Sequence, residues 1–316
     1  MSRGRSVFVC LLTILAVLAC WVPESLAQTE AKTHRVEKGQ TLGAIARRYQ
    51  VSVDALCKAN KIRRTDRIRP GQQLVIPPDK QESATPAKTD GVTRRETDWK
   101  QGLQKLDVPG APPAYFYEPM GAGRMGLRPV FMVLHGRGGS ASAFCARWAP
   151  VVRPMGWLVC PSAPHAYASG QSWENDWVTG RKVVQASHEA LRAKYGRRVQ
   201  LVGNTLIGFS EGAFVAMNVG VREPRTFNRW LILAADDSYW GAQAPQLLGR
   251  ARGNLRRVYL ITGKQDEVFD GTLRTQALLR QARVPVHISD PSEMGHEVAL
   301  ESKRSMYQAA LTWLQR

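Results

Sequence analysis

Gly208-Phe209-Ser210-Glu211-Gly212 sets a serine between two glycines, each two residues away. If an extended segment enters this stretch and a helix leaves it, the serine must occupy a strained turn, and both glycines admit backbone that side chains would block. Its hydroxyl then stands at a helix N-terminus, where the positive end of the dipole favours a developing oxyanion. That is the setting of a nucleophile in acyl transfer. The pattern alone is weak, since at ordinary glycine and serine usage it arises by chance in roughly one 300-residue chain in ten. Its partners elsewhere in the chain have to decide.

Such a serine needs a base, an acid that orients the base, and donors for the oxyanion. His296, in Gly295-His296-Glu297, is the best base among the histidines. His34 belongs to a separate N-terminal stretch, His188 to a helical run, His287 to a strand and His135 to a glycine-rich loop, which leaves His165 in "PSAPHAY" as the competitor. Asp266 in "GKQD" is the favoured acid, with Asp236 and Asp237 as rivals. The glycine-rich loop "HGRGGS" can turn backbone N–H groups toward an oxygen. The expected donors are Arg137 or Gly138 together with Glu211. Trp173 and Trp177 are candidates for an acyl pocket, against the ordinary alternative that a large aromatic belongs to the core. No metal or organic cofactor is called for.

These residues need elements that hold them. Apolar runs "AYFYEP", "PVFMVLHG", "GWLVCP", "NTLIGFS", "RWLILAA", "RRVYLITG" and "VPVHISD" alternate with helical stretches. The pattern predicts an α/β fold, a mainly parallel sheet with helices on both faces. Sites in such sheets gather at the carboxyl ends of the strands, which is where Ser210, Asp266, His296 and the glycine-rich loop fall.

Upstream, residues 34–77 divide into a short strand, a helix with Leu42, Ile45, Ala46 and Tyr49 at helical spacing, a second helix from Ser52, and a closing strand after Pro70-Gly71. Residues 78–97 are polar, contain Pro and Gly and lack apolar periodicity, as expected of a flexible linker. Residues 98–316 form the large domain.

Among 316 residues, 44% are hydrophobic, which excludes disorder of the whole chain. The formal charge of +18 favours anionic partners. The basic residues are spread along the chain without an aromatic-interleaved motif, so nucleic acid is not the expected partner. Arg3 and Arg5, the apolar run Val7 to Val22 and the small residues up to Ala27 predict an export signal cleaved after Ala27. A membrane anchor and a lipoprotein signal ending at Cys20 are the alternatives. No later segment is apolar enough to span a bilayer. The expected location is secreted, periplasmic or cell envelope, where a Cys145 to Cys160 disulfide is permitted.

The string "V-x-x-G-Q-T-L-x-x-I-A-x-x-Y-x-V-S-V-x-x-L-x-x-A-N-x-I" followed by "I-x-x-G-Q-x-L-x-I-P" resembles a LysM module over residues 34–77. The resemblance implies a strand-helix-helix-strand fold that binds peptidoglycan, chitin or a similar N-acetylglucosamine-containing glycan. Its groove would map to Gly39, Gln40, Thr41 and Leu42 and to Ile62, Arg63 and Ile68. Residues 98–316 resemble the α/β-hydrolase superfamily, and "LHGRGGS", "PSAP", "SWENDW", "GFSEGA", "GKQD" and "GHE" resemble its carboxylesterase and lysophospholipase branch. That branch more often has Asp at the place of Gly139 and Gln at the place of Glu211. The resemblance implies a serine hydrolase acting on an ester substrate through Ser210, Asp266 and His296. A glycan-binding protein without catalysis, and a wall-anchored lipase, phospholipase or peptidase, are the competing expectations.

Overall fold

The computed structural model describes residues 32–36, 42, 45, 46, 49, 51, 53–62, 68–77, 101–121, 123–167 and 170–316. The expected signal (1–27), the linker (78–97) and Gly39, Gln40, Thr41 and Arg63 lie outside the described residues. The chain divides into two compact units after Pro86.

In the small unit, β1 (Thr33–Arg35), α1 (Val53–Asn60) and β2 (Gln73–Val75) surround a core of Val36, Leu42, Ile45, Ala46, Leu56, Cys57, Leu74 and Ile76. Leu42, Ile45 and Ala46 are helical, so their spacing puts all three on one buried face. β1 and β2 pair antiparallel, with His34 opposite Leu74. Asn60 closes the unit. Its amide donates to Val75 O at 2.7 Å and accepts from Val75 N at 2.7 Å, covering with a side chain the edge of β2 that faces away from β1.

The large unit runs β3 (Gln104–Leu106), β4 (Ala114–Tyr117), β5 (Val130–Leu134), α2 (Ala141–Val152), β6 (Trp157–Pro161), β7 (His165–Tyr167), β8 (Gly170–Ser172) and α3 (Trp177–Tyr195). It continues with β9 (Asn204–Phe209), α4 (Glu211–Arg222), β10 (Phe227–Leu233), α5 (Ala244–Ala251), β11 (Arg257–Ile261), α6 (Phe269–Gln281), β12 (Val286–Ser289) and α7 (Arg304–Gln315). The main sheet has the order β12-β11-β10-β9-β5-β6-β4-β3. β5, β6 and β9 to β12 are parallel, while β4 is antiparallel to both β6 and β3.

Strand period two sorts the core. Val130, Met132 and Leu134 face one layer with α3, α4, α5 and α6, and Phe131 and Val133 face the other with α2 and α7. Both faces are therefore covered, and β5 is apolar at every position, as a buried parallel strand must be. Cys145 of α2 and Cys160 of β6 are disulfide-bonded, tying the second layer to the sheet. Among the described residues no helix is long and apolar enough to cross a membrane.

Candidate active site

Ser210 ends β9 and starts α4 with φ 52° and ψ −122°, a conformation L-residues rarely adopt. The turn is held by its own backbone. Ser210 N–H donates to Leu233 O at 2.9 Å, and Ser210 O accepts from the N–H groups of Ala213 and Phe214. The glycines are required by close approach: a Cβ on Gly208 would stand 2.6 Å from Ala213 Cα, and one on Gly212 would run into the carbonyl oxygens of Leu134 and His135.

His296 lies in the loop after β12, and Asp266 in the loop after β11. His296 Nε2 is 2.8 Å from Ser210 Oγ, and His296 Nδ1 is 2.9 Å from Asp266 Oδ2. A carboxylate only accepts, so Nδ1 carries its hydrogen toward Asp266 and Nε2 presents a lone pair to the serine hydroxyl. Asp266 is buried, 5% exposed, and also accepts from Val268 N–H at 3.1 Å, which fixes the carboxylate that orients the imidazole. The Phe209 ring packs tilted against the imidazole, with ring centroids 5.3 Å apart. The rivals are engaged elsewhere. Asp236 caps Ser238 N–H, Asp237 pairs with Arg274, and His165 Nδ1 lies 4.0 Å from Glu174.

The glycine-rich loop follows β5 and faces the N-terminus of α4. Glu211 is only 3% exposed, yet its carboxylate is fully engaged. It accepts from Arg137 Nη2 at 2.9 Å, Arg137 Nε at 3.1 Å, Ser172 Oγ at 3.0 Å and Trp173 N–H at 2.8 Å. The Arg137 guanidinium also lies over the Tyr167 ring, 5.6 Å from its centroid. One buried carboxylate thus joins the loop, the β7–β8 hairpin and the helix that begins at Ser210.

The same loop is held from beneath by His135. Its Nδ1–H donates to Gly136 O at 2.8 Å, and its Nε2 faces Ala163 N–H at 3.4 Å. Burial lowers its pKa below the ordinary histidine range, and a second ring proton would point at an N–H donor, so the neutral form fits this place.

Residues 34–77 match the LysM domain family. The structure is similar to the crystal structure of esterase PE8, with a TM-score of 0.50 at 22% identity over 67% of this chain and 100% of that one. It is similar to the Bacillus cereus carboxylesterase, with a TM-score of 0.51 at 14% identity over 70% of this chain and 98% of that one. Porphyromonas gingivalis dipeptidyl peptidase 4 gives a TM-score of 0.52 at 16% identity, over 68% of this chain and 35% of that one. No curated protein sequence matches the chain significantly. The large unit has the α/β-hydrolase fold.

Within the α/β-hydrolase unit, several residues singled out from sequence stand differently from expectation. Gly138 spends its N–H on Gln171 O at 2.8 Å, so it is not available as an oxyanion donor, and Arg137 remains as the loop's candidate beside Glu211. Trp173 is fully buried, with its indole N–H on His135 O at 2.9 Å; it supports the loop from the core and lines no acyl pocket. Trp177 stacks under the Arg222 guanidinium, 3.7 Å from the ring centroid, at the carboxyl end of the helix that Ser210 begins. Sequence reasoning missed the Glu211 side chain, Ser172 and the β7–β8 hairpin. The one available signal was the acidic residue where the related branch has Gln.

In the LysM unit, the Leu42 side chain is buried in the core, and Ile62 and Ile68 pack half-buried against it. The Leu42 side chain is therefore structural, which leaves its backbone for the expected groove.

Proposed function

We propose that the protein is an exported serine hydrolase of carboxylic esters, held by its LysM unit at peptidoglycan or another N-acetylglucosamine-containing glycan. One observation carries the hydrolase reading: the continuous chain of hydrogen bonds Ser210 Oγ to His296 Nε2 and His296 Nδ1 to Asp266, at 2.8 and 2.9 Å.

In this reading Ser210 Oγ attacks the ester carbonyl while its proton moves to His296 Nε2. Asp266 stabilises the imidazolium and holds the ring in place. The negative charge on the carbonyl oxygen is met by the amides of Arg137 and Glu211, the latter at a helix N-terminus whose first N–H groups have no intrahelical acceptor. The imidazolium then protonates the leaving alcohol. Water attacks the acyl-serine by the same path in reverse, with His296 again taking and returning the proton. The esterase and carboxylesterase names of the similar structures agree with an ester substrate.

Export is supported by the Arg3–Ala27 pattern and by the Cys145–Cys160 bridge, since disulfides persist in oxidising compartments. Glycan targeting is supported by the LysM match. A tethered hydrolase would act at raised local concentration on esters of the held polymer, such as O-acetyl groups. The test is hydrolysis of short p-nitrophenyl esters and of O-acetylated peptidoglycan by protein lacking residues 1–27, beside Ser210→Ala. Activity that survives in the variant would remove the nucleophile assignment. Failure of the protein to co-sediment with peptidoglycan or chitin would remove the targeting.

A further inference from the structure

In a parallel α/β sheet the amino ends of the strands and the carboxyl ends of the helices share one edge, opposite the edge that carries Ser210. In this protein that far edge is strongly basic. Arg197 follows α3, Arg225 lies between α4 and β10, Arg252 ends α5, Arg256 precedes β11 and Arg283 precedes β12, all exposed. Arg124 joins them from the segment between β4 and β5. Among the described residues none of these six takes part in an ion pair. Cations at helix ends offset the helix dipole, which accounts for some of them. It does not account for the apolar side chains that share this edge with them.

Met120, Met125, Leu127, Leu201 and Val202 are 46–67% exposed at this same edge. The two segments that carry them are adjacent. Arg128 N–H donates to Arg198 O at 2.9 Å and Gln200 N–H to Arg128 O at 3.0 Å. Beside them opens a cavity of about 500 Å³, lined by Met120, Met125, Arg124 and Arg153 along with Gln104 and Glu118. Exposed apolar side chains grouped on one edge mark an interaction surface. With Arg124 and Arg197 on the same two segments and Arg225, Arg256 and Arg283 at the starts of the neighbouring strands β10, β11 and β12, they match an interfacial layer, where apolar groups enter the acyl boundary while guanidinium groups meet phosphates.

We propose that this edge docks the α/β-hydrolase unit on a bilayer containing anionic phospholipid, with Arg124 and Arg153 receiving a headgroup phosphate in the cavity. A soluble polyanion would satisfy the arginines but would leave Met125 and Leu127 in water, whereas a bilayer takes both. Docking does not depend on what Ser210 does. Its consequence for the substrate rests on the hydrolase reading: the site is then held roughly 20 Å from the bilayer, the length of strand β9, and faces polymer on the other side.

The test is co-sedimentation of protein lacking residues 1–27 with vesicles of phosphatidylcholine alone or with about one third phosphatidylglycerol. Binding is expected to the anionic vesicles only. Met125→Ser with Leu127→Ser should weaken it by about tenfold or more, and Arg225→Ser with Arg256→Ser by about fivefold per charge. Both variants should keep wild-type p-nitrophenyl ester hydrolysis and thermal stability. No binding to the anionic vesicles, or binding unchanged by either pair, would overturn the docking. So would polyphosphate binding as tight as vesicle binding and indifferent to the apolar pair. Cleavage of the vesicle phospholipid by wild type but not by Ser210→Ala would overturn only the orientation of the site.

Discussion

The Arg137 guanidinium and the Glu211 carboxylate, 74 residues apart in the chain, meet at 2.9 Å beside the candidate nucleophile. Glu211 occupies the first turn of α4, where a carboxylate complements the helix dipole. Its charge also sits close to where an oxyanion would form, so an unpaired Glu211 would oppose the reaction. Pairing with Arg137 removes that conflict and locks the loop whose amide is assigned to the oxyanion.

Glu211→Ala leaves the Arg137 guanidinium, the Ser172 hydroxyl and the Trp173 N–H without their acceptor. The expected cost is about 2–4 kcal/mol of stability, since the buried Ser172 hydroxyl and Trp173 N–H lose their acceptor while the partly exposed guanidinium can turn to water. Glu211→Gln keeps an acceptor for Trp173 and should cost about 1–2 kcal/mol. Urea unfolding measures both. If Glu211→Ala were as stable as wild type, the carboxylate would not be the junction described.

Asp266→Asn is expected to lower kcat by about ten-thousandfold with little change in KM, because an amide can donate to Nδ1 and so favour the wrong tautomer. Replacing Asp236 or Asp237 by Asn should leave kcat within a few fold. Steady-state kinetics on a soluble ester separate the three, and an equal loss in Asp236→Asn would reopen the assignment of the acid. A fluorophosphonate probe should label wild type and not Ser210→Ala.

Reduction of the Cys145–Cys160 bridge, which spans 15 residues, is expected to cost about 3 kcal/mol. For a domain of this size that lowers Tm by roughly 6–12 °C. Scanning calorimetry with and without dithiothreitol measures the shift, and Cys145→Ala with Cys160→Ala should show none. An identical Tm under both conditions in wild type would mean the bridge contributes nothing.

His135 and His188 are both held below the ordinary histidine range by burial, and for His188 the nearby Arg192 adds to the effect. In the fold both take up a proton only at lower pH than in the unfolded chain, where each is protonated near about pH 6.5. The unfolded state then binds more protons, so stability is full above that pH and falls as the pH drops below it. Tm measured from about pH 8 to about pH 5 should be level and then decline. His188→Gln, which keeps a donor for Gln200 O, should shallow the decline. A Tm independent of pH over this range would contradict the burial of both rings.

The sequence by itself determined the elements and their order. Alternating apolar runs became β4, β5, β6 and β9 to β12 with helices on both faces, because burial of a strand or helix face is written in local spacing. Ser210, Asp266 and His296 stand after β9, β11 and β12 because a parallel sheet brings the carboxyl ends of those strands together. Tertiary structure decided what each side chain does once there. Trp173 looked like a pocket residue and is core, Gly138 looked like a donor and is paired, and Glu211 is a junction for groups up to 74 residues distant. The exposed methionines and leucines of the far edge carry no periodicity that marks them. Their grouping with the arginines exists only because separate loops converge where the strands begin.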